Sequence, residues 1–405
     1  MQIGWIDFSK EERNKMVSIL RLLDGHNALD EIGIGGVRDA FSDKLFPGIS
    51  VLQTKAKYFV LVPYLFDIAS QEQDKKGKFK TNRDVLRFIN DKETELARTL
   101  MKNSAGQQGI IGSRSGGDVK QKPSQIYWNG MRTSEILLHP SFSLDMACQT
   151  VLARNKTKQQ IKIKVEDKNS GADDKDNCRD GHVIFSPIVP TYNVLQDAHI
   201  ELTKDEADYL FDHFTKSAAM KGTLMEYMLR HPEMVRDYTR FSDINPEVLK
   251  NSDGDLYDRV RLARQFADFI YGAHLLYNIV FADGCNYEDD KVLSVKKEYQ
   301  NYLEKYNAPD LNEIIDMAQP DASTIIFLRK WAEGISTDNQ KALRQLIVDR
   351  ECQVKPRRNK LNRPDAVQFT EPIHFYKLSY RYDTARTIMN DILEGRGINS
   401  SAKTV

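Results

Sequence analysis

Cysteine is scarce in this chain: the four in 405 residues, Cys148, Cys178, Cys285 and Cys352, stand singly, with no CxxC pair. That excludes a disulfide framework and a zinc site built from paired ligands, and it suits reduced thiols in a cytoplasmic protein. Excess charge of either sign is also missing, because 58 Lys and Arg are balanced by 58 Asp and Glu. No net field draws the chain to nucleic acid or to a membrane surface, so attraction to a polyanion has to come from a local cluster. Nor is there a long hydrophobic run. The most apolar stretch, Tyr58 to Ala69, carries Pro63 and Asp67 and falls short of the ~20 residues that span a bilayer, so it reads as a core helix. The opening Met1-Gln2-Ile3-Gly4-Trp5-Ile6-Asp7-Phe8 lacks the basic region and apolar run of a secretory signal, and we expect the protein to stay where it is made.

What is present is enough apolar material for two or three domains: 40% hydrophobic residues, with 18 Phe and 17 Tyr. Its spacing is mostly helical. Ser9 with Glu12 forms a capping box for a helix to about Leu23; Val37 to Phe46 restores a helical period that Pro47-Gly48 stops; Lys57 to Ala69 and the run Val85, Ile89, Leu96, Leu100 follow. Ser104 to Gln125 is rich in Gly, Ser, Gln and Lys and reads as a long exposed loop, before Ile126 to Leu138 and Phe142 to Leu152 resume helix. Asn155 to Gly181 carries charge on most residues and divides the chain into an N-terminal helical domain, 1–154, and a C-terminal one, 182–405. In the second, Val183 to Val189 is the β-looking run, held to an edge strand or extended segment by Pro187 and Pro190. Helices are expected over Lys204 to Met220, Leu224 to Leu229, Tyr257 to Ala282, Asp290 to Tyr306, Leu311 to Met317, Thr324 to Trp331, Asn339 to Arg350 and Tyr376 to Leu393. The fold class is therefore mainly α, two multi-helix regions with minor β.

Charge clusters near the C-terminus. Lys341, Arg344, Arg350, Lys355, Arg357, Arg358, Lys360 and Arg363 stand against Asp349 and Glu351, and Pro356 and Pro364 are expected to hold the basic loop extended. Such a loop suits a row of phosphates, since Arg offers a planar fork and Lys a mobile point charge. In the last helix Leu378, Tyr382, Ala385, Met389, Ile392 and Leu393 form a docking stripe that Arg381 and Arg386 flank. The candidate phosphate contacts are thus Lys355, Arg357, Arg358, Lys360, Arg363, Arg381 and Arg386. The alternative is a solvated loop beside a structural helix, with Asp383 paired to Arg386.

Other signals have plainer explanations. The glycines from Gly106 to Gly117 lack the strand, the Gly-Lys-Ser/Thr end and the following helix of a phosphate cradle, and read as a mobile loop, although Arg114, Lys120 and Lys122 also allow ordering on nucleic acid. Tyr271, His274 and Asn278 share one helical face with no nucleophile at helical spacing, which suits a hydrogen-bonded core histidine better than a general base. Cys178 and His182 lack a second ligand pair, Asn251 to Asp255 has its glycine misplaced for a calcium loop, and Glu166-Asp167-Lys168 lies in the charged tract and not on adjoining strands. No cofactor and no metal is expected.

Several segments, Ile3-Gly4-Trp5-Ile6-Asp7-Phe8-Ser9, Gly33-Ile34-Gly35-Gly36-Val37-Arg38-Asp39-Ala40-Phe41, Tyr127-Trp128-Asn129-Gly130-Met131, Tyr271 to Asn278 and Tyr380 to Leu393, resemble a bacterial family catalogued only as a domain of unknown function. The resemblance implies gene neighbourhoods of phage-defence type, alongside helicases and phospholipase D-like nucleases, and so a partner subunit more than an enzyme. The leading expectation is a non-catalytic, cytoplasmic subunit that binds nucleic acid, a helicase or nuclease partner, or both. A cryptic nuclease or nucleotide hydrolase and a purely structural scaffold are the alternatives, and the many periodic helical faces leave room for an oligomer.

Overall fold

Helices in this chain form where apolar residues recur at helical spacing, and several begin where a side chain satisfies the first amides, as Thr81, Asp289 and Asp321 do. A computed structural model describes residues 30–154, 183–252, 254–362, 372 and 376–398. The expected helix to Leu23, the tract 155–181 with Glu166, Cys178 and its expected domain boundary, His182 and Arg363 lie outside the described residues. The helices of seven or more residues are α1 (Gly35–Leu45), α2 (Tyr58–Lys76), α3 (Asn82–Asn103), α4 (Pro123–Thr133), α5 (144–154), α6 (Lys204–Lys216) and α7 (Leu224–Arg230). They continue as α8 (Leu256–Gly284), α9 (Asp290–Lys305), α10 (Leu311–Ala318), α11 (Ala322–Ser336), α12 (Gln340–Val354) and α13 (Tyr382–Gly395). The fold is mainly α, as the periodicity predicts.

The chain divides into two compact units, each made of separated segments: residues 1–39 with 265–377, and residues 40–264 with 378–405. In the unit formed by 40–264 and 378–405, the first half of α2 is apolar around its circumference and accordingly buried, with Phe59, Val60, Leu61, Leu65 and Phe66 all shielded. Thr81 opens α3 with a capping box to Asp84, and Thr203 does the same for α6 with Glu206. The last helix, α13, packs Ile388, Met389, Ile392 and Leu393 against α6 and α7. It starts at Tyr382 and not at Tyr376. Tyr380 and Arg381 have φ of 52° and 66°, a left-handed backbone that cannot continue a right-handed helix.

The stretch 104–125 departs from a mobile loop in having fixed anchors. Ile111 donates its amide to the Tyr58 hydroxyl at 2.8 Å, and the Thr54 hydroxyl donates to the Gly109 carbonyl at 2.6 Å. Gly117, at φ 93°, lies so near Thr94 that a Cβ there would fall 2.9 Å from its carbonyl oxygen. Most side chains along it are nonetheless exposed, as expected. The run after Val183 makes one antiparallel bridge, Phe185 to Leu137, and no strand among the described residues, so it is the extended segment that its prolines allow.

In the unit formed by 1–39 and 265–377, Trp331, Leu328, Phe269, Tyr277 and Ile347 build the core. Gly272 lets the Tyr302 ring lie directly on the α8 backbone, where a Cβ would meet a ring carbon at 2.1 Å. Tyr302 and Trp331 both donate to the Phe269 carbonyl, at 2.9 and 3.3 Å, which fixes α9 and α11 to α8. His274 and Asn278 are buried in this core, with the Asn278 amide bonded to the His274 carbonyl, in keeping with a structural pair.

Candidate nucleic-acid interface

The basic segment after α12 is folded and not extended. Glu351, fully buried one turn before the end of α12, accepts hydrogen bonds from the Lys360 and Leu361 amides at 3.0 and 2.9 Å, and so pulls the chain back on its own helix. The Tyr277 hydroxyl donates to the same carboxylate at 2.7 Å, and burial followed by that bond raises its pKa well above the ordinary phenol value. Asn359 closes the bend by donating to the Lys355 and Pro356 carbonyls. Arg350 anchors α12 from the other side: its guanidinium donates to the Ile32 and Gly33 carbonyls and to the Thr324 and Ser323 hydroxyls. The pre-proline geometry alone would keep the loop extended, but a buried carboxylate needs donors, and the nearest are the amides of the returning chain.

This fold sorts the cations. Lys355 and Lys360 reach the same carboxylate oxygen of Glu31, at 2.9 and 3.1 Å, so two ammonium groups share one acid. Arg357 and Arg358 are exposed at the tip, and among the described residues neither side chain carries a hydrogen bond or an ion pair. The turn therefore displays two unengaged guanidinium groups above two half-compensated lysines, on a backbone braced by Glu351 and Asn359. Cations arranged in this way suit successive phosphates.

The other expected contacts are placed differently. Arg381 donates to Asp43 at 2.7 Å and to the Ile49 carbonyl at 2.9 Å, and Arg386 donates to the Val235 carbonyl at 2.9 Å. Both are half-buried fasteners of α13, and they belong to the unit formed by 40–264 and 378–405, whereas the basic turn belongs to the other. Arg386 thus bonds to a backbone carbonyl, where the sequence suggested Asp383. Sequence reasoning did not find Glu31, which lies more than three hundred residues from the lysines it holds; no local pattern carries such a pairing.

Two buried polar centres also escaped notice. Lys57, Tyr192 and Tyr64 converge on Glu206, with the lysine at 2.6 Å, the Tyr192 hydroxyl at 2.6 Å and the Tyr64 hydroxyl at 3.4 Å. Burial lowers the Lys57 pKa and Glu206 opposes that shift. With Lys57 and Glu206 both sealed from solvent, the cluster has the form of a structural charge pair. Glu93, buried on α3, accepts from the Ser124 amide at 2.6 Å and from its hydroxyl at 3.2 Å. Among the described residues no three metal-ligating side chains come together, and no helix is long and apolar enough to cross a membrane.

Residues 1–153 match the model of a family described as a family of unknown function (DUF6361). That similarity takes in Glu31 and stops well short of the basic turn. No curated protein and no solved structure matches the chain.

Proposed function

We propose that this protein is a non-catalytic, cytoplasmic subunit of a bacterial antiviral-defence or DNA-processing system, which binds nucleic acid through the basic turn 355–362 and works with a helicase or nuclease partner. The observation that carries the binding reading is the pair Arg357 and Arg358, exposed on a braced turn without an acidic partner among the described residues. Lys355 and Lys360 add to their field because Glu31 neutralises them only in part. Contacts of this kind neutralise phosphates and release counterions, so they confer affinity without sequence preference.

The test is equilibrium binding of labelled single-stranded and duplex DNA and RNA over a range of salt. Wild-type affinity should fall steeply with salt. Arg357→Glu with Arg358→Glu should weaken binding by about tenfold or more for every sequence and flatten the salt slope by about two. Undiminished binding by that variant would overturn the site. The pure protein should also lack divalent-metal-dependent turnover of DNA, RNA or nucleotides, and such turnover would favour a nuclease or nucleotide hydrolase instead.

A further inference from the structure

A cleft of about 380 Å³ lies between α8 and α9 in the unit formed by 1–39 and 265–377. Its walls are aromatic: Phe269 and Tyr271 from α8, Tyr302 from α9 and Tyr306 just beyond it. The Tyr302 and Tyr306 rings stand 5.8 Å apart, and Tyr302 is immobilised by Gly272 and by its bond to the Phe269 carbonyl. Such rings offer electron-rich faces, which attract cations and repel anions.

Glu298 supplies charge to this lining. It is half-buried and has no ion-pair partner among the described residues; its hydrogen bond comes from the Asn301 amide at 3.5 Å. Tyr271 feels the negative charge: burial first, and then Glu298, push its hydroxyl up to about 12. The Tyr306 hydroxyl is buried with no hydrogen-bond partner among the described residues. A half-buried carboxylate thus stands among fixed aromatic rings, a lining whose chemistry suits an ammonium group.

The cleft already holds one ammonium at its edge. Lys377 places its Nζ 2.6 Å from Asp268 and 5.8 Å from the centre of the Tyr271 ring. This pair shows the chemistry the lining accepts, and it leaves Glu298 unserved. Lys305, also on the lining, is exposed and makes no ion pair among the described residues.

We propose that the cleft binds a small primary alkylamine, its ammonium paired with Glu298 and its alkyl chain laid along Tyr271, Tyr302 and Tyr306. Amine binding is independent of nucleic-acid binding at the basic turn.

The test is calorimetric titration of the full-length protein with cadaverine at low salt, and with the matching diol as the uncharged control. Cadaverine should bind saturably and the diol should not. Glu298→Gln, which keeps the shape and removes the charge, should weaken cadaverine binding by about tenfold or more. Lys377→Ala should strengthen it, because the chain's own ammonium then leaves the cleft. A lysine derivative blocked at both backbone ends separates two sources of the group: equal affinity points to a lysine side chain of a polypeptide, and much weaker affinity to a free amine, either of which supports the site. No saturable binding of cadaverine at millimolar concentration, or equal binding by wild type and Glu298→Gln, overturns it.

Discussion

Glu93 is a carboxyl group lodged between α3 and the start of α4, where water does not reach it. Burial moves its pKa from the ordinary 4.5 up to about 7, against the opposing pull of the Ser124 amide and hydroxyl and of Lys122. The folded protein therefore holds this proton more tightly than the unfolded chain does. The stability that results is complete below pH 4.5 and is lost as pH rises through about 7. Glu93→Gln removes the titration and keeps an acceptor for the Ser124 amide. Thermal unfolding of wild type should fall relative to the variant between pH 5 and pH 8, by at most about 3 kcal/mol. Parallel curves for the two proteins would show that Glu93 is not the group responsible. Arg350 shows the complementary case at the same scale: a buried cation whose cost is met by two backbone carbonyls, two hydroxyls and the Gln353 amide oxygen fanned around one planar group, a geometry that lysine cannot reproduce.

At the scale of elements, the turn 355–362 is a device with a bracing part and a displaying part. Glu351 and Asn359 hold the backbone, Glu31 restrains the lysines, and the arginines are left outward. Glu31→Gln should release two ammonium groups without touching the brace. Nucleic-acid affinity should then rise by roughly threefold to tenfold at low salt and the gain should shrink as salt increases. Unchanged affinity at every salt concentration would mean that the lysines do not contribute. The last helix makes the opposite use of arginine, since Arg381 and Arg386 spend their donors on Asp43 and on carbonyls of the surrounding chain. Its buried stripe was legible in the sequence because one helix encodes its own periodicity. Its starting point was not, because a left-handed Tyr380 is held by a bond to the Ala263 carbonyl and by edge contacts with Phe41 and Phe241, all far away in the chain.

For the whole molecule, the consequence lies in the interleaving of the two units, each closed by segments far apart in sequence. Residues 40–264 lack α13, whose Ile388, Met389, Ile392 and Leu393 are fully shielded. Burial of each such side chain contributes about 1.5–3 kcal/mol, so together they match much of the ~5–15 kcal/mol by which a protein is stable. A fragment ending at Arg264 should be insoluble or fail to unfold cooperatively in urea, and joining residues 378–405 to 40–264 through a flexible linker should restore a single transition. Cooperative unfolding by residues 40–264 alone would contradict this.

The sequence by itself determined the helical class and most helix positions, because hydrophobic periodicity acts within a few residues. It also located the basic segment and the apolar face of α13. Only the tertiary structure decided which cations the turn leaves unengaged among the described residues, that Glu298 stands among tyrosines without an ion-pair partner among those residues, and that the two units are each built from separated segments of the chain. Those outcomes depend on electrostatic and packing partners brought together from distant positions, and a charge carries no mark in the sequence of the partner that folding will give it.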